Sequence, residues 1–225
     1  MTTTADIRKY YGDHAHLLFT KTPRHEIIFR QLKPIVRPGM NVLDLGCGAG
    51  ITTKYMAELG AGVVGVDLSP ENIRLAQKHN YHINITFGVC DITEDNFLNN
   101  SDAKYDLITL VDCIEHIPRT KRIKLFQNIE RYSKPDTLVM INMPDYRFQT
   151  FLDKQDVQGR QIVDEAIEAQ TVINQFSKIG YSLQRFECYG VDVPCCQYNT
   201  LIFWRSGCVE GIFKEALNTR LSGTT

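Results

Sequence analysis

Nine consecutive residues constrain this chain more than any others: Val42-Leu43-Asp44-Leu45-Gly46-Cys47-Gly48-Ala49-Gly50. A run of valine and leucine that stops at a glycine-rich turn reads as a buried parallel strand. From Ile51 to Leu59 the apolar positions recur at helical spacing, so the local order is strand, tight turn, helix. Glycines at 46, 48 and 50 allow a sharp bend and let a ligand approach the backbone with no Cβ in the way. The unpaired N–H groups at the start of the helix favour an anionic group in the turn. A nucleotide-type ligand is the expectation.

Details narrow the choice of nucleotide. The dinucleotide fingerprint G-x-G-x-x-G uses its third glycine for close helix–strand packing. Here Ile51 holds that place, and the pattern is G-x-G-x-G. Asp44 also puts a negative charge just before the turn, where a pyrophosphate would be repelled. A carboxylate there suits a ligand with cationic groups, and S-adenosylmethionine (SAM) carries a sulfonium, an ammonium and a carboxylate. The second strand, Val63-Val64-Gly65-Val66-Asp67, ends in an acid about 20 residues past the turn, where ribose hydroxyls would lie. Taken alone, Asp67 reads equally well as a turn or capping residue. The glycine turn in front of it favours the ribose role.

With these segments in view, the chain resembles the class I SAM-dependent methyltransferases, and among them the ubiquinone-type and small-molecule O-methyltransferase group. Val42 to Gly50 matches that family's first motif, and Val64 to Ser69 its second. Val89-Cys90-Asp91-Ile92 matches its acid-bearing adenine segment. Tyr105-Asp106-Leu107-Ile108 through Asp112-Cys113-Ile114-Glu115-His116-Ile117 matches the fourth strand and the loop on its catalytic side. The resemblance implies that Asp44, Gly46, Cys47, Gly48, Asp67 and Leu68 hold SAM. It implies that Asp91 accepts from the adenine amino group while the Ile92 N–H meets a ring nitrogen. Val111 and Asp112 would face the methionine moiety, and S-adenosylhomocysteine (SAH) would be the product.

Strand and helix signals alternate, which means βαβ units and a parallel sheet. Strands are expected near 41–45, 62–67, 84–89, 105–111 and 136–143, then near 181–190 and 198–205. The last two lie too close for a helical crossover, so they must be antiparallel. The fold class is therefore α/β: a Rossmann-like, seven-stranded, mostly parallel sheet with an antiparallel C-terminal hairpin, helices on both faces and an N-terminal helical lid. Ser69-Pro70-Glu71 starts one helix with a capping serine and a proline at the first helical position. Pro118 is expected to start another, with Ile123, Phe126 and Ile129 inward. A third is expected from about 160 to 178, with Ile162, Ala166, Ala169, Val172, Ile173 and Phe176 inward.

One domain suffices for 225 residues. It divides into a lid segment at 1–37, with a helix opened by Thr22-Pro23, a SAM-binding core at 38–206 and a helical extension at 207–225. In that extension Val209, Ile212, Phe213, Ala216 and Leu217 form a short amphipathic helix that either packs on its own domain or makes a homodimer contact. A net charge of −1 recruits neither nucleic acid nor an anionic membrane. The first residues lack the pattern of a signal peptide, and the apolar runs are only strand-length. Seven cysteines without C-x-x-C or paired Cys/His spacing argue against zinc or another metal and for reduced thiols in a cytoplasm.

Methyl transfer needs an acceptor placed in line and unprotonated. A carboxylate is already ionised at neutral pH, whereas a phenol with a pKa of about 10 and an aliphatic amine need a base. His116 follows the fourth strand at the carboxyl edge of the sheet, where ligands bind in open α/β folds, and is the candidate base. It could equally pack against the cofactor. Glu115 either orients that imidazole or caps the helix behind it. Tyr10, Tyr11, His14 and His16 cluster in the lid segment; Tyr11 and His14 are candidates to close over substrate, His14 and His16 rival bases. Tyr146 and Phe148 begin an aromatic segment that either lines the acceptor pocket or is buried under the third helix. The basic run Arg119, Lys121, Arg122 and Lys124 is either a solvated face or a dock for an acidic partner. The expected activity is methylation of a small molecule, with oxygen as acceptor atom, hydroxyl or carboxylate. An amine acceptor and a non-catalytic SAM-binding subunit are the alternatives.

Overall fold

Neighbouring residues of a strand point to opposite faces of the sheet, so a strand covered on both sides must be apolar at consecutive positions. Val42 and Leu43 therefore belong to different cores. The computed structural model describes residues 3–14, 20–99, 101–155 and 162–205. Its elements are α1 (Thr4–His14), α2 (Pro23–Leu32), β1 (Asn41–Leu45), α3 (Ile51–Glu58), β2 (Gly62–Asp67), α4 (Pro70–His79), β3 (Ile85–Val89) and β4 (Tyr105–Val111). After a 3₁₀ turn at Ile114–His116 come α5 (Arg122–Tyr132), β5 (Ser133–Pro144), α6 (Tyr146–Lys154), α7 (Ala169–Lys178), β6 (Tyr181–Tyr189) and β7 (Tyr198–Arg205).

The seven strands form one sheet in the order β3-β2-β1-β4-β5-β7-β6. The first five are parallel, while β7 runs antiparallel to both β5 and β6. The hairpin expected at the C-terminal end of the core is thus present, with its second strand placed inside. On one face Val42, Val63, Leu107, Met140 and Ile202 meet Ile28 and Leu32 of α2 and Met56 and Ala57 of α3. On the other, Leu43, Val66, Ile108, Val139 and Leu201 meet Phe126 and Ile129 of α5 and Val172 and Phe176 of α7. From β1 the chain crosses to β2 on one side, while β4 pairs on the other. That reversal opens a crevice at the carboxyl ends of β1 and β4.

Two helices start later than the sequence suggests. Pro118 opens a turn, closed by the Lys121 N–H on its carbonyl at 2.8 Å, and α5 begins only at Arg122. Ile123 is consequently 63% exposed, and Leu125 takes the inward place with Phe126 and Ile129. The third helix begins at Ala169; Ile162 and Ala166 lie in a non-helical segment, and residues 160 and 161 are outside the described range. Cys188 and Cys196 are bonded to each other, which corrects the expectation of uniformly reduced thiols. Cys47, Cys90, Cys113 and Cys195 are free thiols among the described residues. No helix among those residues is long and apolar enough to cross a membrane. The helix and dimer contact expected in 207–225 fall outside them, as does His16.

Candidate active site

The glycine turn after β1 is built by backbone bonds. The Gly46 and Cys47 N–H groups both donate to the Val66 carbonyl, at 2.8 and 2.9 Å, which pulls the turn against the end of β2. Gly46 and Gly48 sit at φ 71° and 54°, in the left-handed region. A Cβ on Gly46 would collide with the Cys113 sulfur, so this glycine also lets the loop after β4 close in. A Cβ on Gly48 would meet nothing within 4 Å. It would project into a cavity of about 260 Å³ at the carboxyl edge of the sheet, lined by Gly46, Cys47, Gly48, Asp67, Asp91 and Asp112 among others.

Three carboxylates in that wall are held by their own neighbours. Asp44 accepts from the Thr53 hydroxyl at 2.6 Å and the Thr109 hydroxyl at 2.7 Å. Asp67 accepts from the Gly48 N–H at 2.9 Å, the Ser69 N–H at 2.8 Å and the Asn72 amide at 3.1 Å. Burial pushes both carboxyls above the usual range, against the pull of these bonds. Asp91 accepts from the Thr93 N–H at 2.9 Å and faces the Lys121 ammonium at 3.4 Å. Lys121 in turn donates to the Thr4 hydroxyl at 2.9 Å, tying α1 to the cavity rim.

At the end of β4, Asp112 is one of three non-glycine residues with positive φ among those described, at 49°. Such a conformation is sparsely populated and is found where surrounding contacts enforce it. Here the contacts are specific: Arg24 of α2 pairs with one carboxylate oxygen at 2.8 Å, and the Asn142 amide donates to the other at 2.9 Å. The Arg24 guanidinium also donates to the Tyr198 hydroxyl at 2.7 Å and lies over that ring. Burial works against its charge, yet Asp112 and Tyr198 outweigh this and hold its pKa above the usual value. Its Nε is buried with no hydrogen-bond partner among the described residues.

His116 closes the other side of the cavity. Its Nδ1 lies 2.8 Å from the Val163 carbonyl. A carbonyl only accepts, so Nδ1 carries the proton and Nε2 is left with its lone pair. Nε2 is 3.7 Å from a Glu115 carboxyl oxygen, Nδ1 is 4.0 Å from Asp164, and the Tyr11 ring packs edge-on at 5.9 Å. Burial lowers the His116 pKa and raises that of Glu115 well above the carboxylate range. The site thus favours a neutral imidazole.

A family model for the methyltransferase domain matches residues 15–194. This chain belongs to the class I SAM-dependent methyltransferases. Ubiquinone biosynthesis O-methyltransferase of Actinobacillus pleuropneumoniae serotype 7 is 33% identical over 108 residues, 46% of this chain and 45% of that protein. The enzyme of the same description from Paraburkholderia phytofirmans is 38% identical over 85 residues, 38% of this chain and 37% of that one. The match therefore spans under half the length of these curated relatives. Among solved structures, magnesium protoporphyrin IX methyltransferase of Synechocystis PCC 6803 with bound SAH superposes with a TM-score of 0.73 at 18% identity. That superposition covers 91% of this chain and 100% of the other.

In this methyltransferase the cavity gathers Asp44, Gly46, Cys47, Gly48, Asp67, Leu68, Asp91, Ile92, Val111, Asp112, His116 and Tyr11. His14 lies outside its lining, exposed and stacked on Tyr10. Tyr146 and Phe148 ride on α6 and neither line the cavity nor are buried; Tyr146 is 39% and Phe151 beside them 55% exposed. Glu115 does not cap α5, since the 3₁₀ turn and the Pro118 turn intervene. Of the basic run, Lys121 turns to Asp91, Arg122 to Glu165 and Lys124 to Asp95. Sequence reasoning missed Arg24 and the Val163 carbonyl. An arginine at the second position of an amphipathic helix looks like any solvated helix residue, and a backbone carbonyl leaves no trace in composition.

Proposed function

We propose that this methyltransferase moves the methyl group of SAM to a hydroxyl oxygen of a small-molecule acceptor, with His116 as general base. The observation that carries the reading is the bond from His116 Nδ1 to the Val163 carbonyl, which leaves Nε2 as the proton acceptor of a ring that lines the cavity. The cavity suits SAM by its chemistry: open space over Gly48, the Asp67 carboxylate for ribose hydroxyls, and Asp91 with Ile92 for adenine. Arg24 and Asp112 offer a cation and an anion, complementary to the carboxylate and ammonium of an amino acid. When bound, SAM supplies an electrophilic methyl on a positively charged sulfur.

The protein's share of the chemistry is then placement and one proton. The neutral imidazole accepts the hydroxyl proton at Nε2, and the Val163 carbonyl stabilises the imidazolium through Nδ1–H. Asp112 and Asp164 add negative charge near the ring, against the desolvation that lowers its pKa. The O-methyltransferase descriptions of the curated relatives support oxygen over nitrogen.

The test is conversion of SAM to SAH over a panel of phenols, carboxylic acids and amines, in wild type and His116→Ala. Turnover is expected with phenols, with a rising pH limb below 6.5 because burial lowers the imidazole pKa. His116→Ala should cut kcat by roughly 10²–10⁴ and abolish that limb. Turnover confined to carboxylic acids and insensitive to His116→Ala would reject the base. No turnover with any acceptor, alongside intact SAM binding, would favour a non-catalytic role.

A further inference from the structure

One residue outside the cavity grips the loop that carries His116 from three sides. Glu165 belongs to the non-helical segment before α7 and lines no part of the cavity. Its N–H donates to the Glu115 carbonyl at 3.0 Å, immediately before His116. Its carboxylate accepts from the Arg119 N–H at 3.2 Å on one oxygen and from the Arg122 guanidinium at 2.8 Å on the other. Arg122, whose side chain is only 11% exposed, completes the ring by donating from Nε to the Ile117 carbonyl at 2.9 Å. Residues 115, 117, 119 and 122 are thereby fixed to residue 165. Two residues upstream lies the Val163 carbonyl that bonds Nδ1. Two residues of chain reach at most about 7 Å, so anchoring Glu165 keeps this carbonyl in the neighbourhood of the imidazole.

We propose that Glu165 is a positioning residue for His116: through Arg119 and Arg122 it holds the Val163 carbonyl on Nδ1, which selects the tautomer with Nε2 open. The proposal rests on the reading of His116 as base, but its physical content is a tautomer preference that exists without any acceptor. A purely structural ion pair would steady the fold and leave that preference alone.

The full-length protein with ¹⁵N-labelled histidine, free of acceptor, reports the tautomer through long-range ¹H–¹⁵N correlations. His116 is assigned by the signal lost in His116→Gln. The wild type should show the Nδ1–H form. Glu165→Ala should redistribute the ring roughly tenfold towards Nε2–H, equivalent to about 1.4 kcal/mol. Glu165→Gln keeps an acceptor for the Arg119 N–H and should restore most of the Nδ1–H form. SAM affinity by calorimetry should be unchanged in both. If Glu165→Ala does not fold, Arg122→Lys and Glu165→Gln carry the test, with Arg122→Lys shifting the tautomer in the same direction. A folded Glu165→Ala or Arg122→Lys with the wild-type tautomer overturns the proposal, as does a wild type in the Nε2–H form. Wild-type turnover by His116→Ala, by contrast, removes the base reading while the tautomer result stands, so the two failures are separable.

Discussion

Asp67 shows how one side chain can organise a turn and still line the cavity. Its three donors, Gly48, Ser69 and Asn72, belong to the glycine turn, the cap of α4 and the first turn of that helix. Removing the carboxylate leaves those donors in a buried site, at about 1–3 kcal/mol for an unsatisfied group. Asp67→Ala should therefore lower the midpoint of urea unfolding and weaken SAM binding at least tenfold, about 1.4 kcal/mol, by calorimetry. Wild-type affinity in a folded variant would remove Asp67 from the ligand's reach. That an acid closes β2 beside the glycine turn was legible in the sequence, as was its reading as a turn or capping residue. The Arg24–Asp112 pair was not, because 88 positions separate residues that only the packed sheet brings to 2.8 Å.

Among the elements, strands were easier to read than helix starts. Consecutive apolar residues bounded by glycine and charge define β1, β2 and β4 to the residue. For α5 and α7 the apolar period runs on past the true start, since Pro118–Lys121 forms a turn and Val163 and Glu165 are drawn to the His116 loop. Tertiary bonds outweigh helix propensity there. Where α7 does form, its inner face is decisive: Phe176 is fully buried, stacked on Phe203 at 4.2 Å and edge-on to Phe126 and Tyr181. Phe176→Ala should cost about 3–5 kcal/mol of unfolding free energy, read from denaturant titration. A loss below about 1 kcal/mol would mean that α7 contributes little to the core.

At the scale of the whole molecule, the cavity wall and the 3₁₀ turn after β4 concentrate groups whose ionisation is coupled to folding. His116 and His25 have pKa values lowered by burial, so below 6.5 the unfolded chain binds protons that the folded chain refuses. Stability from this source is lost as pH falls from 6.5 towards the folded values, and His116→Gln should flatten that decline in melting temperature. Glu115 acts in the opposite sense. Its pKa is raised well above 4.5, so stability falls as pH climbs from 4.5 through the folded value. Glu115→Gln should gain melting temperature relative to wild type as the pH rises, and an advantage that shrinks with pH would contradict the buried acid. Composition exposed none of this, because burial of a particular Glu or His depends on the 3₁₀ turn that follows β4.

If SAM occupies the cavity over the glycine turn, a side chain at Gly48 must displace it. At that residue the Cβ position is open and φ is positive, so Gly48→Val both fills the cradle and strains the turn. Calorimetric titration of SAM into wild type and Gly48→Val, with circular dichroism to establish that both fold, should give saturable one-to-one binding in the first. In the second, the affinity should fall by at least roughly a hundredfold, about 2.7 kcal/mol. Equal affinity in two folded proteins, or no binding by wild type, would mean that this cavity is not the SAM site.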